Sequence, residues 1–306
     1  MNGLRIKDLH ELPHFGDGLS YIYLEHCRID QDEKSISCRD ADGTVRLPCA
    51  ALGLIMLGPG TSITHEAIKT IADNGCLLIW CGEEGIRFYA QGMGETRSAR
   101  RLLLQAELCS DPIRRLEVVK RMYQIRFPDE VTDRYSIEEL RGMEGVRVRG
   151  AYFTAGKKYG VEWAGRSYKR EDWTEADPVN RALSAANSCL YGICHAAIVS
   201  AGYSPGLGFI HTGKQLSFVY DIADLYKVDL TIPVAFEIAS TESAGLERAV
   251  RVRLRDAFKE KKLLSTIISD IHKVLNISDQ EDFPEMDYDG DAAMPGPLWD
   301  GPITTG

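Results

Sequence analysis

DPIRRLEVVKRMYQIRF, residues 111–127, is where the chain changes character. Ile113, Leu116, Val118 or Val119, Met122 and Ile125 recur at helical spacing and predict one apolar face. Asp111 stands at the N-cap position, Pro112 in the first turn and Pro128 just past the end. On the N-terminal side of about Arg97 the period is two. SYIYLEHCRI (20–29) alternates, and SISC (35–38) and TVRLP (44–48) follow at short spacing around the turn ADG. LGLIML (52–57) is a buried-type run stopped by GPGT. Thr64-His65-Glu66 opens a short helix that Gly75 ends, and CLLIWC and IRFYA add two strands around the turn GEEG. This predicts a small sheet domain carrying one helix.

On the C-terminal side every segment reads as helix. SIEELRGMEGVRVRGAYFTAGKKYG (136–160) predicts a short helix, a break near Gly142 or Gly145, and another helix. Asp177–Ala201 predicts one long apolar helix rich in Ala, Ser, Gly and Cys. SFVYDIADLYK, PVAFEIAS, ERAVRVRLRDAFKE and KLLSTIISDIHKVL complete an all-α part, and no internal repeat is present. A single core rarely exceeds roughly 250–300 residues, so a 306-residue chain suggests two domains. The expected class is α+β. Its parts are an N-terminal β domain over 1–92, an α-helical domain over 93–276, and an acidic Pro/Gly-containing tail over 277–306.

Net charge is −9, which at first sight argues against a nucleic-acid partner. Eight acids lie between Ile277 and Gly306 with no Lys or Arg; without them 37 acidic residues face 36 basic ones. The deficit therefore belongs to a tail that is expected to be disordered or docked on a partner, with Phe283, Met286, Leu298 and Trp299 as possible anchors. Two stretches of the body are basic: Arg141–Arg170 carries +6 and Leu246–Lys262 carries +4. The N-terminus has no apolar core of signal-peptide length, and the runs near Ala50–Leu57 and Cys76–Cys81 are too short for a membrane span. Eight scattered cysteines form no CxxC pair, so buried free thiols in a reducing, prokaryotic cytoplasm are expected rather than a zinc site or disulfides.

The chemistry concentrates in GFIHTGKQLSFVYDIADLYK, residues 208–227. Ser217 is a candidate N-cap for the helix that follows. Asp221 and Asp224, three apart, share one face of that helix, and a glycine-containing loop can bring His211 beside them. Carboxylates among Phe218, Val219, Ile222 and Leu225 need a cation, either Arg/Lys or a metal. Two carboxylates and one imidazole suit Mg²⁺ or Mn²⁺. Glu144, the only acid among Arg141, Arg147 and Arg149, is the candidate third carboxylate, although a surface ion pair would account for it locally. Basic residues beside such a set are what metal-dependent phosphoryl transfer requires.

Several segments, in order, resemble the type I-E form of CRISPR-associated protein one, the integrase of CRISPR spacer acquisition. They are LGPGT followed by His65, WCGEEGIRFYAQG, LRGMEGVRVRGAY, KKYGVEWAGRSY, SCLYG, and GYSPGLGFIHTGKQLSFVYDIADLYK. The resemblance spans roughly residues 17–276. It implies a β-sandwich-like N-terminal domain, a helical catalytic domain, and a homodimer, two of which flank a dimer of the small CRISPR-associated protein two in a heterohexamer-type complex. It implies Glu144, His211 and Asp224 as metal ligands, with Asp221 completing the catalytic set. It also implies Arg87, Arg141, Arg149 and Lys214 as DNA contacts, and Tyr168 and Tyr191 as aromatics around the site. The position where relatives bracket the duplex end with Tyr holds His26 here, and the tail has little residue-level match.

The implied reaction inserts a short foreign duplex with single-stranded 3′ ends into CRISPR repeat DNA. A DNA 3′-hydroxyl attacks a phosphodiester in line, so no Ser or Tyr nucleophile is called for. Two alternatives stay open at this point. One is a structure-selective, metal-dependent endonuclease acting on branched DNA; the other is a non-catalytic DNA-bridging subunit.

Overall fold

The computed structural model of the chain describes residues 21–85, 87–94, 99–129, 134–165, 177–241 and 245–277. Tyr168 and the acidic segment beyond Ile277 lie outside the described residues.

Eight strands form two four-stranded sheets among the described residues. The first has the order β1 (Tyr21–Leu24), β5 (Leu54–Leu57), β7 (Leu77–Cys81), β8 (Phe88–Gly92). Its first three strands are parallel and β8 is antiparallel. The second has the order β4 (Thr44–Leu47), β3 (Ser35–Arg39), β2 (Arg28–Asp32), β6 (Ser62–Ile63). All four residues of β5 are buried, as expected of a parallel strand with both faces covered. Ile22, Leu24, Ile55, Leu57 and Leu78 from one sheet meet Ile29, Ile36 and Leu47 from the other in a single cluster. Ala67 and Ile71 of helix α1 (His65–Asp73) join the same cluster. The layered, sandwich-like arrangement agrees with expectation. The parallel strands were not legible, because alternation gives burial and not strand direction.

The run SYIYLEHCRI is two strands in different sheets. His26, with φ +51°, turns the corner between them, and its backbone N–H donates to the Pro59 carbonyl at 2.9 Å. His26 itself is exposed.

The switch to helix falls between Gly92 and α2 (Arg100–Ser110). Helix α3 (Pro112–Arg126) starts as expected, with Asp111 accepting from the backbone of Ile113 and Arg114. Its buried face differs from the expected one. Ile113 is 73% exposed and Leu116 is exposed, while Val118, Val119, Met122, Tyr123 and Arg126 are buried. An arginine thus holds a core position, because carboxylates on other elements surround it.

Helix α4 (Ile137–Tyr159) corrects a second expectation. It runs unbroken through Gly142 and Gly145. A capping box between Ser136 and Glu139 starts it and Gly160, with φ +67°, ends it. Glycine inside a helix costs only about 1 kcal/mol relative to alanine, so two glycines weaken a 23-residue helix without breaking it.

Helix α5 (Pro178–Ser200) is the axis of the helical part. Its 23 residues are long and apolar enough for a membrane span by composition. Here it is wrapped by α6 (Ser217–Ala223), α7 (Ile232–Thr241), α8 (Leu246–Glu260) and α9 (Leu263–Leu275), and its other side touches β7 and β8. A π turn, Lys227–Thr231, separates α6 from α7. The described residues up to Asn276 pack as one compact unit. All eight cysteines are unbridged, and all but Cys109 are buried.

Candidate metal and nucleic-acid site

The loop 203–211, which carries His211, is pinned from outside. Buried Gln105 of α2 donates to the carbonyls of Ser204 (3.0 Å) and Leu207 (2.9 Å), and accepts from the Ser204 N–H at 2.7 Å. Arg115 of α3 donates twice to the Phe209 carbonyl, at 2.9 and 2.7 Å. The loop leaves no room at Gly208, where a Cβ would stand 2.3 Å from the His211 carbonyl oxygen.

Asp221 closes the loop from inside. Its carboxylate is fully buried (0% exposed) and accepts the backbone N–H of Phe209 (2.6 Å), Ile210 (3.1 Å) and His211 (2.8 Å). A fourth contact, 2.7 Å, joins its Oδ1 to His211 Nδ1. An ionised carboxylate only accepts, so Nδ1 carries the proton and Nε2 is the open position of the imidazole. Nε2 points toward Asp224, 4.0 Å from Oδ2, while the His211 side chain stays 43% exposed. The ring meets Tyr220 edge-on, and Tyr220 meets Tyr191 of α5 in the same way.

Ser217 does not cap α6. It is the first helical residue, and its hydroxyl folds back to donate to the Lys214 carbonyl at 2.8 Å and accept from the Lys214 N–H. The helix also stops at Ala223 and leaves Asp224 at its end, where the backbone loosens into the π turn. Such turns recur at functional sites because they re-aim side chains.

Three cations lie among the carboxylates. Arg126, with a side chain only 2% exposed, reaches Glu144 of α4 at 3.7 Å and Asp224 at 3.9 Å. Arg147 approaches Glu144 at 3.6 Å. Lys227 makes the tight contact, 2.6 Å to Asp224 Oδ1, and lies over the Tyr191 ring. Burial pushes the Lys227 pKa down, but the Asp224 carboxylate and the Tyr191 hydroxyl outweigh it and hold the ammonium above its ordinary value. The Glu144 side is loosely satisfied: Glu144 Oε2 and Arg126 Nε are buried with no hydrogen-bond partner.

The sequence profile of the family described as CRISPR associated protein Cas1 matches residues 20–127 and 124–263. The CRISPR-associated endonuclease Cas1 2 of Thermus thermophilus is 50% identical over 297 residues, spanning 96% of this chain and 90% of that protein. The chain belongs to the Cas1 family. A Cas1 endonuclease of a Clostridium species is 45% identical over 88% of this chain and 90% of its own length. A solved structure described as a TtCas1-DNA complex superposes with a TM-score of 0.82 at 51% identity, covering 87% of this chain and all of that one.

In this member of the Cas1 family the expected site residues divide. Glu144, His211, Asp221 and Asp224 come together around Arg126 and Lys227. Tyr191 joins them through Tyr220 and Lys227. Arg87, Arg141, Arg149 and Lys214 are exposed. Sequence reasoning missed Arg126 and Lys227. Lys227 closes the quoted motif three residues after Asp224, and that spacing was its only signal. Arg126 carried none beyond being a charge on an apolar helix.

The donor set fits a hard divalent cation. It offers an imidazole nitrogen already oriented through its other nitrogen, an Asp carboxylate beside it, and a buried Glu oxygen lacking any donor. Among the described residues no three such side chains close into a finished cage, and Arg126 and Lys227 supply the positive charge between them.

Proposed function

We propose that this Cas1-family chain is a metal-dependent DNA integrase of CRISPR adaptation, of the type I-E form, that joins short foreign duplexes to the repeat. The observation that carries the reading is the His211–Asp224–Glu144 group: Asp221 orients the imidazole, and Glu144 presents an oxygen with no hydrogen-bond partner. The endonuclease names of relatives at 45–50% identity and the DNA complex at 51% support it.

Glu144, His211 and Asp224 would hold Mg²⁺ or Mn²⁺. When bound, the cation lowers the pKa of the attacking 3′-hydroxyl and neutralises charge growing on the phosphorus oxygens. The chain supplies the rest. Asp221 keeps His211 in one tautomer and one orientation. Lys227 and Arg126 balance the carboxylates, so that three acids can share a half-buried site. Exposed Arg87, Arg141, Arg149 and Lys214 suit the flanking phosphates, while Tyr191, and by family resemblance Tyr168, are aromatics beside the DNA path. The unbridged thiols support a reducing, cytoplasmic setting. By the same resemblance we assign a homodimer that assembles with the small CRISPR-associated protein two, with the 277–306 segment contributing to that contact.

The test supplies a repeat-bearing plasmid, a labelled duplex with 3′ single-stranded ends, the small partner protein and Mn²⁺. Joined product that His211→Ala and Asp224→Ala abolish is expected. Cut fragments without joined product would favour an endonuclease of branched DNA. Binding without any metal-dependent product would leave a DNA-bridging subunit.

A further inference from the structure

The turn between β7 and β8 is built against the grain. Arg87 takes φ +75°, a backbone region that costs a non-glycine residue of order 1–3 kcal/mol and persists only where its surroundings impose it. The turn is closed by its own backbone: the Gly82 N–H donates to the Arg87 carbonyl at 3.0 Å and the Gly85 N–H to the Gly82 carbonyl at 3.1 Å.

The turn packs directly against α5. A Cβ at Gly192 would stand 2.6 Å from the Arg87 nitrogen and 3.0 Å from its Cα, so the two backbones touch. These are main-chain atoms that cannot rotate away. Three residues on, and so on the same face of the helix, His195 stacks on Phe88 with ring centroids 3.6 Å apart and planes at 21°. Glycine inside a helix costs about 1 kcal/mol against alanine; at Gly192 the close approach to Arg87 is its reason. The residue before Gly192 is Tyr191, whose ring lies under Lys227, the partner of Asp224. One stretch of α5 therefore gauges the distance between the strand-borne Arg87 and the carboxylate site.

We propose that Gly192 and the His195–Phe88 stack are positioning residues for Arg87: they lock the β7–β8 turn onto α5, so that the guanidinium meets DNA at a set distance from the Asp224 site. The inference rests on the assignment of Arg87 as a phosphate contact made above.

The experiment is a double-mutant cycle on the full chain, read as the Kd for a duplex with 3′ single-stranded ends across a range of salt. Arg87→Ala is expected to weaken binding about 10-fold and to lower the slope of log K against log salt by about 1, as for one lost phosphate contact. Gly192→Ala should reproduce both changes and add nothing in the Arg87→Ala background. His195→Ala should do so in part, and His195→Phe, which keeps a stacked ring, should retain wild-type affinity. Should Gly192→Ala fail to fold by circular dichroism, the His195 pair decides. Losses that add in the double variant, or a folded Gly192→Ala with wild-type affinity and slope, would overturn the positioning role alone. Unchanged binding by Arg87→Ala would overturn the Arg87 assignment with it.

Discussion

The two walls of the site are finished to different degrees. On one, Asp221 is wholly buried and accepts three backbone N–H groups and one imidazole nitrogen, all within 3.1 Å. On the other, Glu144 meets its two arginines only at 3.6 and 3.7 Å and keeps an oxygen with no partner. The first is fully hydrogen-bonded within the chain and reads as scaffold. On the proposed function the second is the binding wall, whose unpartnered oxygen is left for a ligand. Asp224 stands between them, tied to Lys227 and facing His211.

Substitutions can break this contrast. The largest effect is expected on activity from the binding wall. His211→Ala or Glu144→Gln should lower integration about 100-fold or more, since several kcal/mol of charge stabilisation is lost at tenfold per 1.36 kcal/mol. Retention of the wild-type rate at limiting Mn²⁺ would show that these side chains hold no ion. The next effect is on stability and belongs to the scaffold wall. Asp221→Ala leaves three N–H groups without their acceptor, each costing about 1–3 kcal/mol when buried, so urea unfolding should report a loss of about 3 kcal/mol or more. Glu144→Gln, which keeps the side-chain shape and loses only ion pairs of 3.6 and 3.7 Å, should cost less than Asp221→Ala in the same measurement. Equal losses would erase the distinction between the walls.

Two smaller effects sharpen it from outside. Removing residues 277–306 should leave the metal response unchanged and weaken capture of the small partner protein; unchanged partner affinity would reduce the segment to a solubility device. The β7–β8 clamp has its own pH signature. Burial pushes the His195 pKa from 6.5 down to about 4 in the folded chain. The unfolded chain takes up the proton first, so this group costs stability as pH falls from 6.5 to 4 and nothing above that window. Melting temperature should decline over the window, and less steeply in His195→Phe. An identical acid limb in both proteins would place the proton elsewhere.

Much of this architecture could be read before any coordinates. The strand-to-helix switch and the Asp111 cap are local signals and were legible, whereas the equally local cap signal at Ser217 belongs to the first helical residue instead. The parallel pairing of β1 with β5, and of β5 with β7, was not legible, because the partners lie more than 20 residues apart and alternation carries no direction. Glycines at 142 and 145 suggest a break in α4, but the capping box and the 23-residue length of the helix outvote them. At the site, His211, Asp221 and Asp224 share one short motif. Glu144 was separated from them by more than 60 residues and came through its basic surroundings. Arg126 was invisible: its place in the core depends on the Glu144 and Asp224 carboxylates and the Asp221 carbonyl that tertiary folding brings around it.

On the proposed function Glu144 belongs to a cation site and not to the scaffold. Thermal unfolding with and without Mn²⁺ tests it most directly, on wild type and Glu144→Gln side by side. A bound ion stabilises only the form that binds it. Mn²⁺ should raise the melting temperature of wild type and leave Glu144→Gln unmoved; an equal rise in both proteins would contradict the cation role of Glu144.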